Sequence, residues 1–169
     1  MSHELTLFPT NVTTPGQRQR WQQRLVVAFQ DHLAEDDLKL TPQRRAILEA
    51  LFAATEHLDL DGLYQAVKAH RVGVGRATVF RTLKLLERYD LVDRVDGANG
   101  TARFELKHDR PHHDHMVCVE CGAILEFQSP RMEVLQNEAI RRAGFTALWH
   151  RHEIFGRCRA CAGKRATKA

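Results

Sequence analysis

Four cysteines carry the strongest chemical signal in the chain. Cys118 and Cys121 form one Cys-x-x-Cys pair, Cys158 and Cys161 form a second pair, and the sequence contains no other cysteine. Each pair can chelate a metal ion from a tight turn, and two pairs complete a tetrahedral four-thiolate zinc site. Two disulfides are the alternative, which a reducing cytosol disfavours. We therefore expect a structural zinc ion.

Histidines are concentrated in the same part of the chain. Six of the ten lie between residues 108 and 152, namely His108, His112, His113, His115, His150 and His152. Residues 111–115 run directly into the first cysteine pair and are expected to form an extended strand, whose successive side chains point to opposite faces. His112 and Asp114 would then serve one metal site, and His113 and His115 another. Imidazole with carboxylate suits Fe(II), Mn(II) or Zn(II) in an exchangeable, sensing site. A solvated histidine run is the alternative.

The part of the chain before these residues has the pattern of a winged helix. Apolar residues at helical spacing predict four helices. A turn-rich segment at 96–100 predicts a hairpin between two strands, the second of which alternates apolar and polar residues. Thr41 and Asp59 are expected to cap the second and third helices. The predicted elements are helices from Gln17 to Leu33, from Pro42, from Leu60 and from Arg76 to Tyr89, then strands Leu91–Val95 and Ala102–Leu106. After them, strands at 116–119 and 124–127 precede a helix that begins at Ser129-Pro130 and ends at Gly144.

The fourth helix is the DNA-reading candidate. Arg81 faces away from its apolar stripe, and Arg76 and Thr78 occupy its first turn. A recognition helix enters the major groove with its N-terminal half, where arginine can bind guanine bidentately and threonine can contact phosphate or a thymine methyl. A solvated basic face on an ordinary surface helix is the alternative.

Charge and hydropathy set broader limits. A net charge of +4 and a pI near 9.1 are compatible with a polyanionic partner but too small to establish one. No apolar run is long enough to cross a bilayer, and the N-terminus lacks the basic-then-apolar order of a signal peptide. We expect a cytoplasmic protein without a membrane partner.

Taken in order, these motifs resemble the ferric uptake regulator family. The resemblance covers about residues 38–161 and is carried by Leu-Thr-Pro-Gln-Arg at 40–44, Gly-Arg-Ala-Thr-Val-Phe-Arg-Thr-Leu at 75–83, Phe-Glu-Leu at 104–106, His-His-Asp-His at 112–115 and the two Cys-x-x-Cys pairs. It implies a homodimer that binds AT-rich operator DNA when loaded with metal and represses the genes downstream. The implied fold class is α+β, with an N-terminal winged-helix DNA-binding domain followed by a small α/β dimerisation domain with a structural zinc site.

Composition, the predicted elements and the resemblance together give the expected domain boundaries. These are a loose tail at 1–16, the winged-helix domain with an extra N-terminal helix at 17–107, a hinge at 108–111, the dimerisation and metal-binding domain at 112–163 and a basic tail at 164–169.

Site residues follow from the same resemblance. A regulatory metal site that links the two domains is implied at His57, Glu105, His113, His115 and Glu126. A second site inside the dimerisation domain is implied at His112, Asp114, Glu133 and His150. Arg81 matches the arginine of the recognition helix, and Lys39 matches a lysine that enters the minor groove. Phe80 stands where tyrosine is usual, which keeps stacking against a thymine methyl but loses the hydroxyl.

An iron-type repressor is the function that these residues predict. Zinc, manganese, nickel and peroxide sensors of the same family are the alternatives. Peroxide sensors usually have aspartates at the positions of Glu105 and Glu126, and zinc sensors usually add a cysteine at the regulatory site. A metal-dependent hydrolase and a zinc-storage protein belong to other classes. A hydrolase lacks an evident nucleophile here, and zinc storage leaves the winged helix without a role, so we expect neither an enzyme nor a small-molecule substrate.

Overall fold

The computed structural model describes residues 6–7, 14–69, 73–97, 100–107 and 112–166. The hinge expected at 108–111 lies outside the described residues. Helices and strands are mixed, as predicted, and follow one another as β1 (Thr6–Leu7), α1 (Pro15–Glu35), α2 (Pro42–Ala53), β2 (Leu58–Asp59), α3 (Leu60–Ala69), α4 (Arg76–Arg88), β3 (Val92–Asp96), β4 (Ala102–Leu106), β5 (Asp114–Cys118), β6 (Ile124–Gln128), α5 (Pro130–Arg142), β7 (Glu153–Gly156) and α6 (Arg159–Ala166).

The chain divides into two compact units. One contains α1 to β4 and is called the winged-helix unit. The other contains β1 and the elements from β5 to α6 and is called the four-stranded unit. Within the described residues, no helix has both the length and the apolar character needed to cross a membrane.

The winged-helix unit is built around one apolar core to which all four helices contribute. Its largest fully buried side chains include Phe29 and Leu33 of α1, Ile47 of α2, Leu63 of α3 and Leu86 of α4. The core is closed by a three-stranded antiparallel sheet in the order β2-β4-β3. The predicted hairpin is confirmed, and the short strand β2 is an addition that the sequence pattern did not indicate.

Side-chain caps explain where the helices begin. The Thr41 hydroxyl accepts a hydrogen bond from the backbone N–H of Arg44, as predicted for the start of α2. Asp59 Oδ1 accepts from the backbone N–H of Gly62 at 2.7 Å and so caps α3. Thr14 and Gln17 form a reciprocal capping box, which starts α1 at Pro15, two residues earlier than predicted.

The C-terminal end of α4 is fastened to the end of α1. The Asp36 carboxylate accepts from the Arg88 guanidinium at 3.0 Å and from the Tyr89 hydroxyl at 2.5 Å. Burial and the hydrogen bond to Asp36 raise the pKa of Tyr89 above its ordinary value. The extra N-terminal helix therefore supports the far end of the recognition-helix candidate.

The four-stranded unit has the strand order β1-β6-β5-β7. Strands β5 and β6 pair antiparallel, and β7 joins the other edge of β5 in parallel. Helix α5 begins at Pro130 with Ser129 as its N-cap, as predicted, and it ends at Arg142, two residues before Gly144 (φ 61°). Strand β1 lies in the stretch expected to be a tail, and neither β7 nor α6 was indicated by the sequence.

The four-stranded unit buries little apolar surface. Among its described residues, the buried hydrophobic side chains are Val117, Phe127 and the two cysteines Cys118 and Cys161, and α5 has no buried residue. So small a core needs further stabilisation, which a structural metal ion or a second subunit commonly supplies.

Candidate metal centres and nucleic-acid interface

The four cysteines converge within the four-stranded unit. Cys118 ends β5, Cys121 follows in the turn, and Cys158 and Cys161 lie just before and within α6. All four are free thiols, and their sulfur atoms lie within 4.8 Å of one another. The Cys121 and Cys158 sulfurs are 3.7 Å apart, whereas a disulfide requires about 2.05 Å. A tetrahedron with Zn–S bonds of about 2.3 Å has edges of about 3.8 Å, so the arrangement fits zinc.

Backbone dipoles prepare these thiols for metal binding. The backbone N–H of Cys158 donates to Cys118 Sγ at 3.3 Å, and this group with those of Cys121 and Glu120 lowers the pKa of Cys118 to about 6. Contacts with the sulfurs of Cys158 and Cys121, together with burial, raise the pKa of Cys161 to about 12. The four thiols therefore do not all lose their protons unless a cation compensates the negative charge, and a bound zinc ion would be that cation.

An ion pair joins the two cysteine turns. Arg157, directly before Cys158, places Nε 2.9 Å from Oε1 of Glu120, directly before Cys121. It links the two Cys-x-x-Cys segments.

A second cluster combines two imidazoles with two carboxylates. His112 Nε2 lies 3.2 Å from Asp114 Oδ1 and 3.7 Å from Glu133 Oε1, and His150 Nε2 lies 3.1 Å from the same Glu133 oxygen. Asp114 is only 2% exposed, so its charge needs compensation. Ligands about 2.1 Å from one ion lie about 3.0–3.4 Å apart, and these distances therefore suit a divalent cation.

Three elements bring the second cluster together. His112 lies two residues before Asp114, the first residue of β5, and the 3.2 Å between His112 Nε2 and Asp114 Oδ1 agrees with the predicted alternation. Glu133 comes from the first turn of α5, and His150 comes from the segment before β7.

One contact next to the second cluster was not predicted from the sequence. His152 Nε2 lies 2.5 Å from Gln136 Oε1, one helical turn beyond Glu133 on α5. This hydrogen bond repeats the His150–Glu133 contact and fastens α5 to the same segment. The sequence does contain a signal for this contact. His150 and His152 are two residues apart, as on one face of an extended segment, and Glu133 and Gln136 are three residues apart, as on one face of a helix.

The proposed regulatory ligands are divided between the units. In the winged-helix unit, His57 Nε2 lies 3.3 Å from Glu105 Oε1. The antiparallel register of β2 and β4 explains this contact: Leu58 is opposite Phe104, so the preceding His57 falls opposite Glu105.

The other three ligands belong to β5, its approach and β6. His115 of β5 is directly opposite Glu126 of β6 in the antiparallel register, so both side chains lie on one face of the sheet. The rings of His113 and His115 pack edge to face with centroids 5.1 Å apart. Two imidazoles and one carboxylate therefore occupy one region of the four-stranded unit.

Helix α4 presents the side chains expected to meet DNA. Val79, Thr82, Leu83 and Leu86 are buried, which turns the opposite face outward. Phe80 is exposed, and the exposed Arg81 guanidinium donates to the Thr78 hydroxyl at 3.3 Å. Arg76 opens the helix and Lys39 is exposed before α2. The face carries hydrogen-bond donors and one flat apolar ring, which are the groups that contact phosphates, base edges and thymine methyls.

Comparison with known proteins agrees with this geometry. Residues 35–155 match the model of the ferric uptake regulator family. The chain is 35% identical over 144 residues to the ferric uptake regulation protein of Campylobacter jejuni, covering 84% of this chain and 91% of that protein. It is 30% identical over 132 residues to the peroxide-responsive repressor PerR of Staphylococcus aureus, covering 78% of this chain and 88% of that protein. The structure of the Helicobacter pylori ferric uptake regulator aligns with this chain with a TM-score of 0.76 at 23% identity. The alignment covers 83% of this chain and 93% of that chain and shows a similar fold.

The family match runs from the end of α1 to β7, so it includes α2 to α4, the β3–β4 hairpin, the first cysteine pair and the histidines from His112 to His152, whereas Cys158 and Cys161 lie just beyond it. The chain belongs to the ferric uptake regulator family of metal-responsive transcriptional regulators.

Proposed function

We propose that this chain is an iron-type repressor that binds AT-rich operator DNA as a metal-loaded homodimer in the cytoplasm. The observation that carries the proposal is the His57–Glu105 contact of 3.3 Å, because it gives the DNA-binding unit two metal ligands of its own. A metal ion held there can influence DNA binding directly, whereas an ion held only by the four-stranded unit acts on the winged-helix unit less directly.

The proposed switch uses ligands from both units. In the metal-loaded protein, His57 and Glu105 would share one ion with His113, His115 and Glu126. A bound divalent cation supplies the charge that holds these five side chains together. DNA binding then becomes a population shift toward the conformation in which all five are engaged, and its size is limited by the difference in metal affinity between conformations.

The ligand types favour iron or a similar ion. Imidazole and carboxylate suit Fe(II), Mn(II) and Zn(II), and all four cysteines are grouped at the other site. Peroxide sensing is the second candidate, because a relative is a peroxide-responsive repressor. Glutamates at 105 and 126, in place of the aspartates usual in peroxide sensors, support the iron-type reading.

Exposed apolar surface supports the proposed homodimer. Leu148 is 91% exposed and Trp149 is 81% exposed, which is costly for a monomer in water. Among the described residues of the same unit, the other exposed large apolar side chains are Val119, Val134, Leu135, Phe145, Ile154 and Phe155. Strand β7 also lies at an edge of its sheet, where a second chain can pair with it. We propose that a second copy of the chain covers this surface.

Two substitutions test the DNA interface. Arg81→Ala should weaken binding to the cognate operator by about 1–3 kcal/mol and relax its sequence preference, because a base contact is lost. Lys39→Ala should weaken binding to all sequences more evenly and reduce the salt dependence. Fluorescence anisotropy on operator and random duplexes at several salt concentrations measures both effects. Equal losses on the two duplexes for Arg81→Ala would exclude a base contact.

A further inference from the structure

We infer that Arg76 reads a guanine in the major groove and that Asp61 positions its guanidinium for this purpose. The inference rests on the proposed function, which supplies operator DNA as the ligand. It assigns Asp61 a role in DNA recognition, and it adds a specific G·C pair to an operator otherwise rich in A·T.

Two hydrogen bonds join Arg76, at the N-terminus of α4, to Asp61, at the N-terminus of α3. Arg76 is the first residue of α4 and Asp61 is the second residue of α3. Arg76 Nε lies 2.9 Å from Asp61 Oδ1, and Arg76 Nη2 lies 3.0 Å from Asp61 Oδ2. The carboxylate therefore binds the guanidinium side-on, through two parallel N–H···O bonds.

Side-on pairing leaves the opposite edge of the guanidinium available for a base. Arginine has five N–H donors in a planar fork, and the Asp61 carboxylate uses the Nε hydrogen and one Nη2 hydrogen. The remaining Nη1 and Nη2 hydrogens point together from the other edge. Their spacing matches N7 and O6 of guanine, the commonest bidentate contact of arginine in the major groove.

The position of the pair suits this task. The N-terminal residues of a recognition helix are those that contact base edges. The Arg76 and Asp61 side chains are 59% and 65% exposed, so the pair is accessible to a partner. Asp61 lies in the first turn of α3, where the positive end of the helix dipole favours its negative charge.

Charge argues for a base rather than a phosphate as the partner of Arg76. The Asp61 carboxylate offsets the positive charge of the guanidinium, which weakens attraction to the DNA backbone. The directional donors remain, and a guanidinium fixed by a carboxylate loses less rotamer freedom on binding a base. Exposed ion pairs contribute only about 0–1 kcal/mol to stability, so this pair adds little to the folding of the winged-helix unit.

The experiment selects binding sites from a library of random duplexes with the Mn(II)-loaded dimer. The wild-type protein, Arg76→Ala, Arg76→Lys and Asp61→Asn are compared. Arg142→Ala is the matched control, since it removes an exposed, paired arginine from α5 of the other unit. Zinc content and dimer mass are measured on every preparation to check the four-stranded unit, and the helical signal in circular dichroism is measured to check the winged-helix unit, which contains α1 to α4.

The wild-type protein should select a guanine at one symmetric pair of positions, and replacing it by adenine should lower affinity by about 5- to 150-fold per half-site. Arg76→Ala and Arg76→Lys should lose this preference, the lysine variant because an ammonium cannot form the fork. Asp61→Asn should lose most of it while keeping or raising affinity for random DNA. Arg142→Ala should match the wild type.

Two results would overturn the inference alone: a wild-type site with no preferred guanine, or a preference that Asp61→Asn retains in full. A uniform loss of affinity on all duplexes for Arg76→Ala would identify a phosphate contact and also overturn it. Failure of the Mn(II)-loaded wild-type protein to select any sequence would instead contradict the proposed function, and with it the inference.

Discussion

Cys118→Ser should remove about one equivalent of tightly bound zinc per chain and destabilise the four-stranded unit and its dimer. The expected effect is large, because structural zinc contributes about 10–16 kcal/mol of apparent binding free energy in small zinc domains. The unit has few other sources of stability, since α5 has no buried residue. Zinc is measured by mass spectrometry of the metal content, and dimer mass by light scattering.

The winged-helix unit provides the internal control for this substitution. Trp21 is buried in that unit against Phe52, with ring centroids 5.4 Å apart, whereas Trp149 belongs to the four-stranded unit. In a Trp149→Phe background, the fluorescence of Trp21 should therefore remain native when Cys118 is replaced. Cys158→Ser should reproduce the zinc loss. Retention of full zinc and dimer stability by both cysteine variants would show that the four-thiolate site is assigned wrongly.

His57→Ala should leave the zinc and the dimer intact but remove most of the metal-stimulated gain in operator affinity. Neither the cysteine cluster nor the exposed apolar surface includes a residue of the winged-helix unit. The proposed regulatory ion would lose His57 and keep only Glu105 as a ligand from the winged-helix unit. Couplings of this kind amount to about 1–3 kcal/mol, or about 5- to 150-fold in affinity. The ratio of DNA affinities with and without Mn(II) measures the effect.

His32→Ala is the matched control, because His32 is another histidine of the winged-helix unit and lies 3.1 Å from Glu35 on the same helix. Its affinity ratio should equal that of the parent protein. His112→Ala and His150→Ala should have milder effects, since all ligands of that cluster lie within the four-stranded unit. A His57→Ala protein that responds to metal like its parent would exclude a regulatory role for this histidine.

The elements that the sequence predicts correctly are those with local signals. Thr41-Pro42 and Ser129-Pro130 mark helix starts through hydrogen bonds and dihedral angles that involve three or four neighbouring residues. Strand β4 alternates apolar and polar residues over its five positions, and a turn-rich segment separates it from β3. Such features depend on residues that are neighbours in the sequence, so they can be predicted from the sequence pattern.

Strands β2 and β7 escaped prediction because their pairing is non-local. Strand β2 has only two residues, too few for alternation, and exists because Leu58 and Asp59 pair with β4 more than 40 residues later. Yet this strand places His57 beside Glu105. Strand β7 pairs in parallel with β5 across α5, a contact that no local pattern specifies.

The same distinction divides the site residues. The Cys-x-x-Cys spacing and the alternation of His112 and Asp114 are local and could be read directly. Glu133 and His150 were reached only through the family resemblance, because tertiary packing brings α5 and the segment before β7 to the cluster. Asp61 was missed for the same reason: its contact with Arg76 spans 15 residues and two helices.

The most direct test of the account is a titration of Fe(II), Mn(II), Zn(II) and Ni(II) into the zinc-containing dimer that lacks regulatory metal. Binding to a duplex selected by the wild-type protein is followed at each metal concentration. The account predicts that Fe(II) or Mn(II) raises affinity by about 5- to 150-fold at constant zinc content and dimer mass. Affinity that does not change with any of the four ions would contradict metal-controlled DNA binding by this chain.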